Sequence, residues 1–440
     1  MPSNNPYGAY LERYAEAIAT ELEPKVRLPH LYQFVIVIPA HNEPPDSLDK
    51  VLPQDLQNTL VIVVVNAAEA EKSAEATPEY TAALQNTQLF LEQFHPQGAL
   101  FTIVPQQNQS TLLIVDCCTT GRLLPHKQGV GLARKIGGDL AVACIAEQVV
   151  ASPWIHCTDA DVELPLSYLG EADPEVAVAI YPFRHCPPHR NILQYEISLR
   201  FYVLQTAAAG SPYAFQNIGS LLKINARNYV AVRGFPRRRA AEDFYMLNKL
   251  AKTGAVERLQ APTVSLSSRV SGRVPFGTGA AMVRLTTAAE MQLYDPEIFR
   301  QLQIWLALAD KLWCDRTLIQ QWGLAKWWPA GQILLEILQG MGLEKVLMQA
   351  HRQCRDFPHF RFFIWGWFDA FRTLKFVHAL RDRKYPSLSI CEAVAQLDSL
   401  SDLDLSQSPS DISTLQTVND RLIDQENQLP SLTGPTLQTL

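Results

Sequence analysis

The chain has 440 residues, of which 47% are hydrophobic and 19% are charged, and its formal net charge is −6. This length exceeds that of one small domain, and the composition is typical of a folded protein, not a disordered one. The negative charge excludes a strongly basic protein, so nucleic acid is not an expected partner.

Compartment and membrane association follow from the cysteines and the apolar runs. Eight scattered cysteines without C-x-x-C spacing indicate neither a zinc module nor a disulfide framework, which favours a reducing, cytoplasmic compartment. The amino-terminal segment "MPSNNPYGAYLERYAEAIATELEP" lacks the apolar core of a signal peptide, and no later run approaches the roughly 20 residues of a membrane span. We therefore expect a soluble cytoplasmic protein that at most contacts a membrane surface.

The predicted elements in chain order begin with an amphipathic helix over about 7–22. Strands and helices then alternate: "YQFVIVIPA", "PPDSLDKVLPQDL", "NTLVIVVVN", "TPEYTAALQNTQLFLEQF", "GALFTIVP", "TLLIVDCC", "GVGLARKIGGDLAVACIAEQV" and "PWIHCTDAD". Val/Ile runs without alternation suit strands buried on both faces of a parallel sheet. The pattern predicts an α/β domain with a mixed, mostly parallel sheet flanked by helices.

The rest of the chain predicts a more mixed order and then helices. A strand "EVAVAIYPF", a helix "ILQYEISLRFYVLQTAA", a strand and short helix in "GSLLKINARNYVAVRGF", and a helix "AAEDFYMLNKLAKTG" complete the α/β part. We assign an N-terminal helix to 1–30, the catalytic domain to 31–285, a helical C-terminal subdomain to 286–398 and a flexible tail to 399–440, which lacks apolar periodicity.

Two aspartates follow the strand in "IHCTDADVELP". Asp159 and Asp161 are separated by one residue, so both carboxylates can converge on one hard cation such as Mg²⁺ or Mn²⁺. Such an ion completes its coordination with water and substrate phosphates, which predicts a nucleoside diphosphate as partner. Two acids in a solvated surface turn remain the alternative.

A second acidic pair opens the predicted helix "AAEDFYML". Glu242 and Asp243 suit a helix N-terminus, where carboxylates are stabilised by the helix dipole. Capping does not need both, and a second carboxylate could serve as general base for a hydroxyl nucleophile. Both interpretations stay open.

Two cationic segments could contact phosphate. Arg134 and Lys135 lie on the glycine-preceded helix "GVGLARKIGGDLA", and Arg269 and Arg273 lie in the glycine-rich loop "LSSRVSGRVPFGTGAAM". A helix entry could approach a phosphate, and a loop with two arginines could close over one. The alternatives are a solvated helix face and an ordinary surface turn.

The order of "VIVIPAHNE", "VVVN", "GVGLARKIGGDLA", "TDADVELP", "NIGSLLKINARNYVAVRGF" and "AAEDFYML" resembles glycosyltransferase family 2, which has a GT-A fold. The resemblance covers about 34–279 and implies single-sugar transfer from a nucleoside diphosphate sugar to a hydroxyl acceptor. By it, Pro39, His41 and Glu43 would line the nucleotide. Asn66 stands where the family commonly has an acid, so the choice of base and sugar is open.

The resemblance also implies the catalytic roles. Asp159 and Asp161 would be the metal-binding D-x-D, with Asp161 the stronger candidate for direct ligand of Mn²⁺ or Mg²⁺. Asp243 would be the base of an inverting transfer, and Gly219 and Ser220 would lie near the acceptor. A retaining reaction stays open, and the processive Q-x-x-R-W motif is absent from the sequence.

Two rival functions are weighed against this one. A sugar-phosphate nucleotidyltransferase would normally carry a glycine-rich loop with a cation after the first strand, and "IPAHNEPP" is not one. A catalytically silent nucleotide-binding protein of the same fold would bind a diphosphate without turnover.

The sequence pattern of the C-terminal part leaves open what this part contacts. The run over 360–380 is predicted to form one helix with an apolar face, which favours core packing or a homo-oligomer contact. Membrane-surface docking near a lipid-linked acceptor is the alternative to a small-molecule acceptor.

His185 and His189 flank two prolines, which excludes a helical metal-ligand pair and favours a structural or acceptor-facing role.

Overall fold

The structure is a computed structural model that describes residues 6–70, 77–269, 277–287, 290–315, 317–318, 321, 330–397 and 411–432. These residues form two compact units, which are described separately. The first is built from Met1–Pro187 and Asn217–Ser268, and the second from Pro188–Gln216 and Thr278–Leu440.

Most strands of the first unit lie where the sequence predicted them, but the strands over 183–186, 255–258 and 264–267 were not predicted. They are β1 Phe34–Ala40, β2 Thr59–Asn66, β3 Phe101–Pro105, β4 Thr111–Cys117, β5 Trp154–Cys157, β6 Val176–Ile180, β7 Phe183–Cys186, β8 Leu222–Asn225, β9 Ala255–Arg258 and β10 Val264–Ser267. The first six and β8 and β9 form one sheet in the order β3-β4-β2-β1-β5-β8-β6-β9, while β7 and β10 pair separately.

Parallel pairing dominates the centre of this sheet. Strands β4, β2, β1 and β5 pair in parallel, with β1 and β2 in register from Phe34↔Thr59 to Ala40↔Val65. Every residue of β2 is buried, as expected for a strand covered on both faces. Strands β3 and β8 run antiparallel to their neighbours, which accounts for the mixed order in the sequence. The predicted fold class, a mixed and mostly parallel sheet flanked by helices, is confirmed.

The helices of the first unit connect these strands. They are α1 Pro6–Arg13, α2 Ala17–Thr20, α3 Pro24–Arg27, α4 Ser47–Val51, α5 Pro78–Glu92 and α6 Gly129–Ala146, followed, after α7 of the second unit, by α8 Ala226–Ala231 and α9 Glu242–Leu250. The single helix predicted over about 7–22 is wrong, because the chain leaves α1 at Arg13 and forms only one further short turn at 17–20.

Helix α6 is the central helix of this unit and packs on β1 and β2. Small residues allow that contact: a Cβ on Gly137 would lie 2.3 Å from Cγ1 of Val37 in β1, closer than carbon atoms can approach. The helix is consequently buried from Gly131 to Ile145. Its position fixes the side chains that it presents at the edge of the sheet.

The second unit is helical, with one two-stranded ribbon. It consists of α7 Arg190–Ala208, α10 Thr278–Thr287, β11 Gln292–Leu293, α11 Pro296–Lys311, α12 Gly331–Gly340, α13 Leu343–Gln353, α14 Phe357–Trp367, α15 Ala370–Arg383, β12 Leu388–Ser389, α16 Ile390–Val394 and α17 Ile412–Gln428. Helix α7 joins this unit, although it was assigned to the catalytic domain.

The aromatic run predicted as one helix over 360–380 is two helices. Asp369 interrupts it: its side chain accepts a hydrogen bond from the backbone N–H of Arg372 and so starts α15. The break changes which residues share a face, so Phe360 and Ile364 of α14 and Phe376 of α15 are buried in one core. The prediction of one helix over 360–380 is wrong for this reason, whereas its expected core packing is confirmed for these residues.

The expectation of a flexible tail over 399–440 is wrong for 412–428, which form α17. This helix packs on α7 through the buried Leu415 and Leu422. A buried ion pair joins the same helices, with Arg200 Nη1 2.5 Å from Glu426 Oε2. The segment was misread because its apolar residues are few and widely spaced.

No helix in the described part of the chain is both long and apolar enough to cross a membrane.

The fit of α6 on β1 predicts the effect of one methyl group. Gly137→Ala should destabilise the protein by about 1–3 kcal/mol, because the added Cβ meets a stiff valine in a buried strand. Gly340→Ala is the matched control, since nothing lies within 4 Å of its added Cβ in α12, and it should be neutral or stabilise by up to about 1 kcal/mol. Urea unfolding would measure both, and equal effects would contradict the packing.

The packing of α17 predicts a second difference. Leu422→Ala should cost about 2–5 kcal/mol in urea unfolding, because it removes a fully buried side chain. Ile412→Ala in the same helix should change stability by no more than about 0.5 kcal/mol, since Ile412 is 52% exposed. A negligible effect of Leu422→Ala would restore the interpretation of this segment as a tail.

Candidate active site

The candidate site lies at the carboxyl ends of the central strands. Strand β1 ends at Ala40 and leads to His41 and Glu43, while β5 ends at Cys157 and leads to Asp159. Because β1 and β5 are parallel neighbours, these ends meet at one edge of the sheet, where ligands of open α/β sheets bind. Glu43 is buried, and Asp159 is two-thirds buried with 33% of its side chain exposed.

Arg134 joins the two acidic pairs of the sequence. Its Nη2 donates to Asp159 Oδ1 at 2.6 Å, and its Nε donates to Glu242 Oε1 at 3.0 Å. The guanidinium lies on the buried face of α6, with only 5% of its side chain exposed. Arg134 thus uses donors on two protein carboxylates, and its predicted contact with a phosphate stays a prediction.

Gly219 is required by the same guanidinium. Arg134 Nη1 donates to the Gly219 carbonyl oxygen at 3.2 Å, and a Cβ at position 219 would lie 2.7 Å from Arg134 Nη2. The glycine thus makes room for the arginine, a role that sequence analysis missed when it assigned Gly219 to the acceptor. Its neighbour Ser220 is 2% exposed. The available signal in the sequence was the glycine itself, and only the structure shows that it lies beside a buried guanidinium.

Helix α9 begins with the second acidic pair. Ala241 precedes it with φ of 60°, a left-handed conformation that is unfavourable for a residue with a Cβ. This turn places Glu242 and Asp243 in the first helical turn, with Glu242 buried against Arg134. Asp243 Oδ1 accepts a hydrogen bond from the Phe244 N–H at 2.7 Å.

The three carboxyl groups Asp159, Glu242 and Asp243, here called the acidic site, repel one another. Burial raises the pKa of Glu242 to about 7, with Asp243 adding to the rise and Arg134 opposing it. Burial also raises the pKa of Asp159, and Glu242 and Glu43 add to that rise against the pull of Arg134. Burial raises the pKa of Asp243 in the same way. The acidic site holds more negative charge than its one arginine neutralises.

His41 and Asn66 form a hydrogen-bonded pair. His41 Nδ1 lies 2.9 Å from the Asn66 carbonyl oxygen, and since a carbonyl only accepts, this nitrogen carries the proton. The Asn66 side chain donates to the carbonyl oxygens of Ala40 and Val64, both at 3.1 Å. The Asn66 amide is thus buried and bonded to the backbone, and its predicted contact with nucleotide stays a prediction. Pro39 is buried within β1.

Lys135 does not belong to the acidic site. Its Nζ lies 2.9 Å from Asp139 Oδ2 and 2.9 Å from the Tyr10 hydroxyl, and only 4% of its side chain is exposed. Tyr229 also donates to Asp139, at 2.9 Å. Lys135 therefore ties α1 to α6 through this buried network, and its predicted contact with a donor phosphate stays a prediction.

The remaining predicted residues are two arginines and two histidines. Arg269 groups with the second unit, and Arg273 lies outside the described residues. His185 is buried in β7 of the first unit, whereas His189 caps α7 of the second, where its ring accepts from the Ile192 N–H at 3.4 Å. No helix joins the two histidines, as the prolines between them predicted.

The turn after β5 carries Asp161, which is partly buried. Among the residues described, no group of three or more His, Cys, Asp or Glu side chains is arranged as a complete metal site. A cation that takes most of its ligands from water and phosphate needs only one or two protein carboxylates. The oxygen donors around the acidic site are of the type that hard divalent ions prefer.

Comparison with known proteins adds little to this geometry. No protein-family model and no curated protein matches the chain. Among solved structures, the chain is similar to the mannosyltransferase PcManGT from Pyrobaculum calidifontis, a structure in complex with GDP-Man and Mn²⁺, at 16% identity over 84% of this chain and 95% of that one, with a TM-score of 0.30. The chemistry is therefore argued from the residues alone.

The raised pKa of Glu242 predicts a pH dependence of stability. The ordinary pKa of this carboxyl is 4.5, and its pKa in the folded protein is about 7. At a pH between these two values, the carboxyl is protonated in the folded protein and ionised in the unfolded one. Stability should therefore be highest below pH 4.5 for this group and fall as the pH rises towards 7, with a slope of up to about 1.4 kcal/mol per pH unit. Calorimetry of the ligand-free protein would measure it.

Two variants separate this carboxyl from the others. Glu242→Gln should flatten the fall between pH 4.5 and 7, because the amide cannot titrate. Glu163→Gln removes an exposed carboxyl that follows β5 and should leave the profile unchanged. A wild-type profile that rises over this interval would contradict the assignment.

Proposed function

We propose that this protein is a metal-dependent glycosyltransferase of the GT-A type, similar to glycosyltransferase family 2. It would transfer one sugar from a nucleoside diphosphate sugar to a hydroxyl acceptor. The observation that carries the proposal is the meeting of Asp159 and Glu242 on Arg134. Residues 83 positions apart in the sequence, one after β5 and one opening α9, converge at the ligand-binding edge of a parallel sheet.

The donor would bind at the ends of β1 and β5. His41 and Glu43 follow β1 and are the side chains proposed to contact the nucleoside. Asp161 would hold Mn²⁺ or Mg²⁺ together with diphosphate oxygens, while Asp159 is already paired with Arg134 at 2.6 Å. When bound, such an ion would offset the charge that grows on the leaving diphosphate. The uncompensated acidic site supports a cationic partner.

Asp243 would act as the base. Arg134 engages Glu242, which leaves the neighbouring Asp243 as the carboxylate for the acceptor hydroxyl. The hydroxyl oxygen attacks C1 of the sugar as its proton passes to Asp243, and the bond between C1 and the diphosphate oxygen breaks. A carboxylate whose pKa burial has raised accepts a proton more readily than an ordinary one. Attack opposite the leaving group would invert the anomeric centre.

Binding of the donor is tested by thermal shift. UDP, GDP, ADP and their sugars, each with and without Mn²⁺, should include one nucleotide that raises the melting temperature only with metal. Asp161→Ala should abolish that shift, while Asp243→Asn should retain it. Glu163→Ala is the matched control, because this exposed acid lies two residues from Asp161 and should keep the full shift.

Catalysis is tested by the slow release of nucleoside diphosphate from the donor identified above, with water as acceptor. Asp243→Asn should lower kcat by about 10²- to 10⁴-fold with little change in the KM for donor, because it removes the base but not the donor contacts. No metal-dependent shift with any nucleotide, or full turnover by Asp243→Asn, would overturn the proposal. Binding without turnover in the wild type would favour the silent nucleotide-binding protein.

A further inference from the structure

A short segment before α9 concentrates positive charge in an acidic protein. Residues 233–239, here called the 233–239 segment, contain Arg233, Arg237, Arg238 and Arg239 and no acid, although the whole chain has a net charge of −6. All four arginines are exposed. The segment ends shortly before α9, the helix that begins with Glu242 and Asp243 and carries the proposed base.

The backbone of the segment is held in place. The Gly131 N–H of α6 donates to the Arg238 carbonyl oxygen at 3.0 Å. A Cβ on Gly131 would lie 2.4 Å from that oxygen and 2.6 Å from the Pro236 carbonyl oxygen. The backbones of α6 and of the segment are therefore in direct contact. The segment is therefore seated on the helix that carries Arg134, and is not a loose surface loop.

Most of the charge has no counterion in the protein. Arg237 pairs with Glu16 at 2.7 Å, but within the described part of the chain no carboxylate forms an ion pair with Arg233, Arg238 or Arg239. Arg238 stacks over the Tyr245 ring at 3.9 Å, which orients its guanidinium without neutralising it. Burial lowers the pKa of Lys249 in α9, and Lys135, Arg233 and Arg238 lower it further.

We infer that the 233–239 segment binds a phosphate group of the acceptor, through Arg238 and Arg239. A guanidinium matches phosphate with two parallel hydrogen bonds, and Arg238 is already oriented by Tyr245. An anion here would relieve the repulsion among the unpaired cations. This inference rests on the proposed function for the identity of the ligand as acceptor, but not for the binding itself.

The distance to the base suits one molecule. Three residues lie between Arg239 and Asp243, so their Cα atoms, four steps apart along the chain, are at most about 14 Å from each other. A phosphate held by the segment and a hydroxyl near Asp243 can therefore belong to one short acceptor or head group. The phosphate could come from a soluble phosphate ester or from a phospholipid, and the experiment distinguishes these sources.

The first test measures binding of inorganic phosphate by equilibrium dialysis at low salt. The wild type should bind saturably, and Arg238→Gln/Arg239→Gln should weaken binding about tenfold or more. Arg238→Lys/Arg239→Lys should bind with intermediate affinity, because it keeps the charge but loses the paired hydrogen bonds. Arg300→Gln/Lys345→Gln removes the same charge from exposed positions of the second unit and should bind like the wild type.

The second test uses sedimentation with vesicles of phosphatidylcholine alone or with 30% phosphatidic acid. Binding to the acidic vesicles that the double glutamine variant loses would assign the phosphate to a lipid. Phosphate binding without vesicle binding would assign it to a soluble ester. Both outcomes support the site.

Several results would overturn the inference. They are the absence of saturable phosphate binding to the wild type, equal binding by the double glutamine variant, and equal weakening in the distant control. The thermal shift with nucleotide, measured on the same proteins, separates the two proposals. Phosphate binding without any nucleotide shift would leave the anion site in place and remove its role as an acceptor site.

Discussion

The buried guanidinium of Arg134 is the interaction on which the candidate site depends. Two carboxylates from distant parts of the chain would repel each other at this edge, and their burial would be costly without a cation. Arg134 lies between them, at 2.6 Å from Asp159 and 3.0 Å from Glu242, and it also donates to the Gly219 carbonyl oxygen. One side chain of α6 thereby fixes three segments: the turn after β5, the start of α9 and the turn before β8.

The position of that side chain follows from the glycines of α6 and its neighbours. Gly137 lets the helix lie close to β1, Gly131 lets it touch the 233–239 segment, and Gly219 leaves room for the guanidinium itself. Lys135, the next residue, points its charge to Asp139 and so ties α1 to the opposite side of the same helix. Adjacent cations on one helix thus serve two different parts of the first unit.

Sequence patterns predicted the fold better than the site. Val/Ile runs mark β1 and β2 because burial on both faces leaves a continuous apolar signal, whereas α17 carries few apolar residues and was taken for a tail. The acidic residues could be identified because they directly follow or open the elements that these patterns predict. The partners of Arg134 and Lys135 were not, because two neighbouring helical residues point about 100° apart and only tertiary packing decides which one meets the carboxylates.

Positive and negative charges are segregated in the first unit of this chain, whose net charge is −6. The acidic site has three carboxyl groups and ion pairs to Arg134 from two of them, and burial raises the pKa of all three. A few residues along the chain, Arg238 and Arg239 form no ion pair with any carboxylate among the residues described. Because opposite charges this close would normally pair, their separate placement implies that the backbone holds them apart. The contact of the 233–239 segment with Gly131 supplies that restraint, and each proposed ligand has the sign opposite to the charges that would bind it.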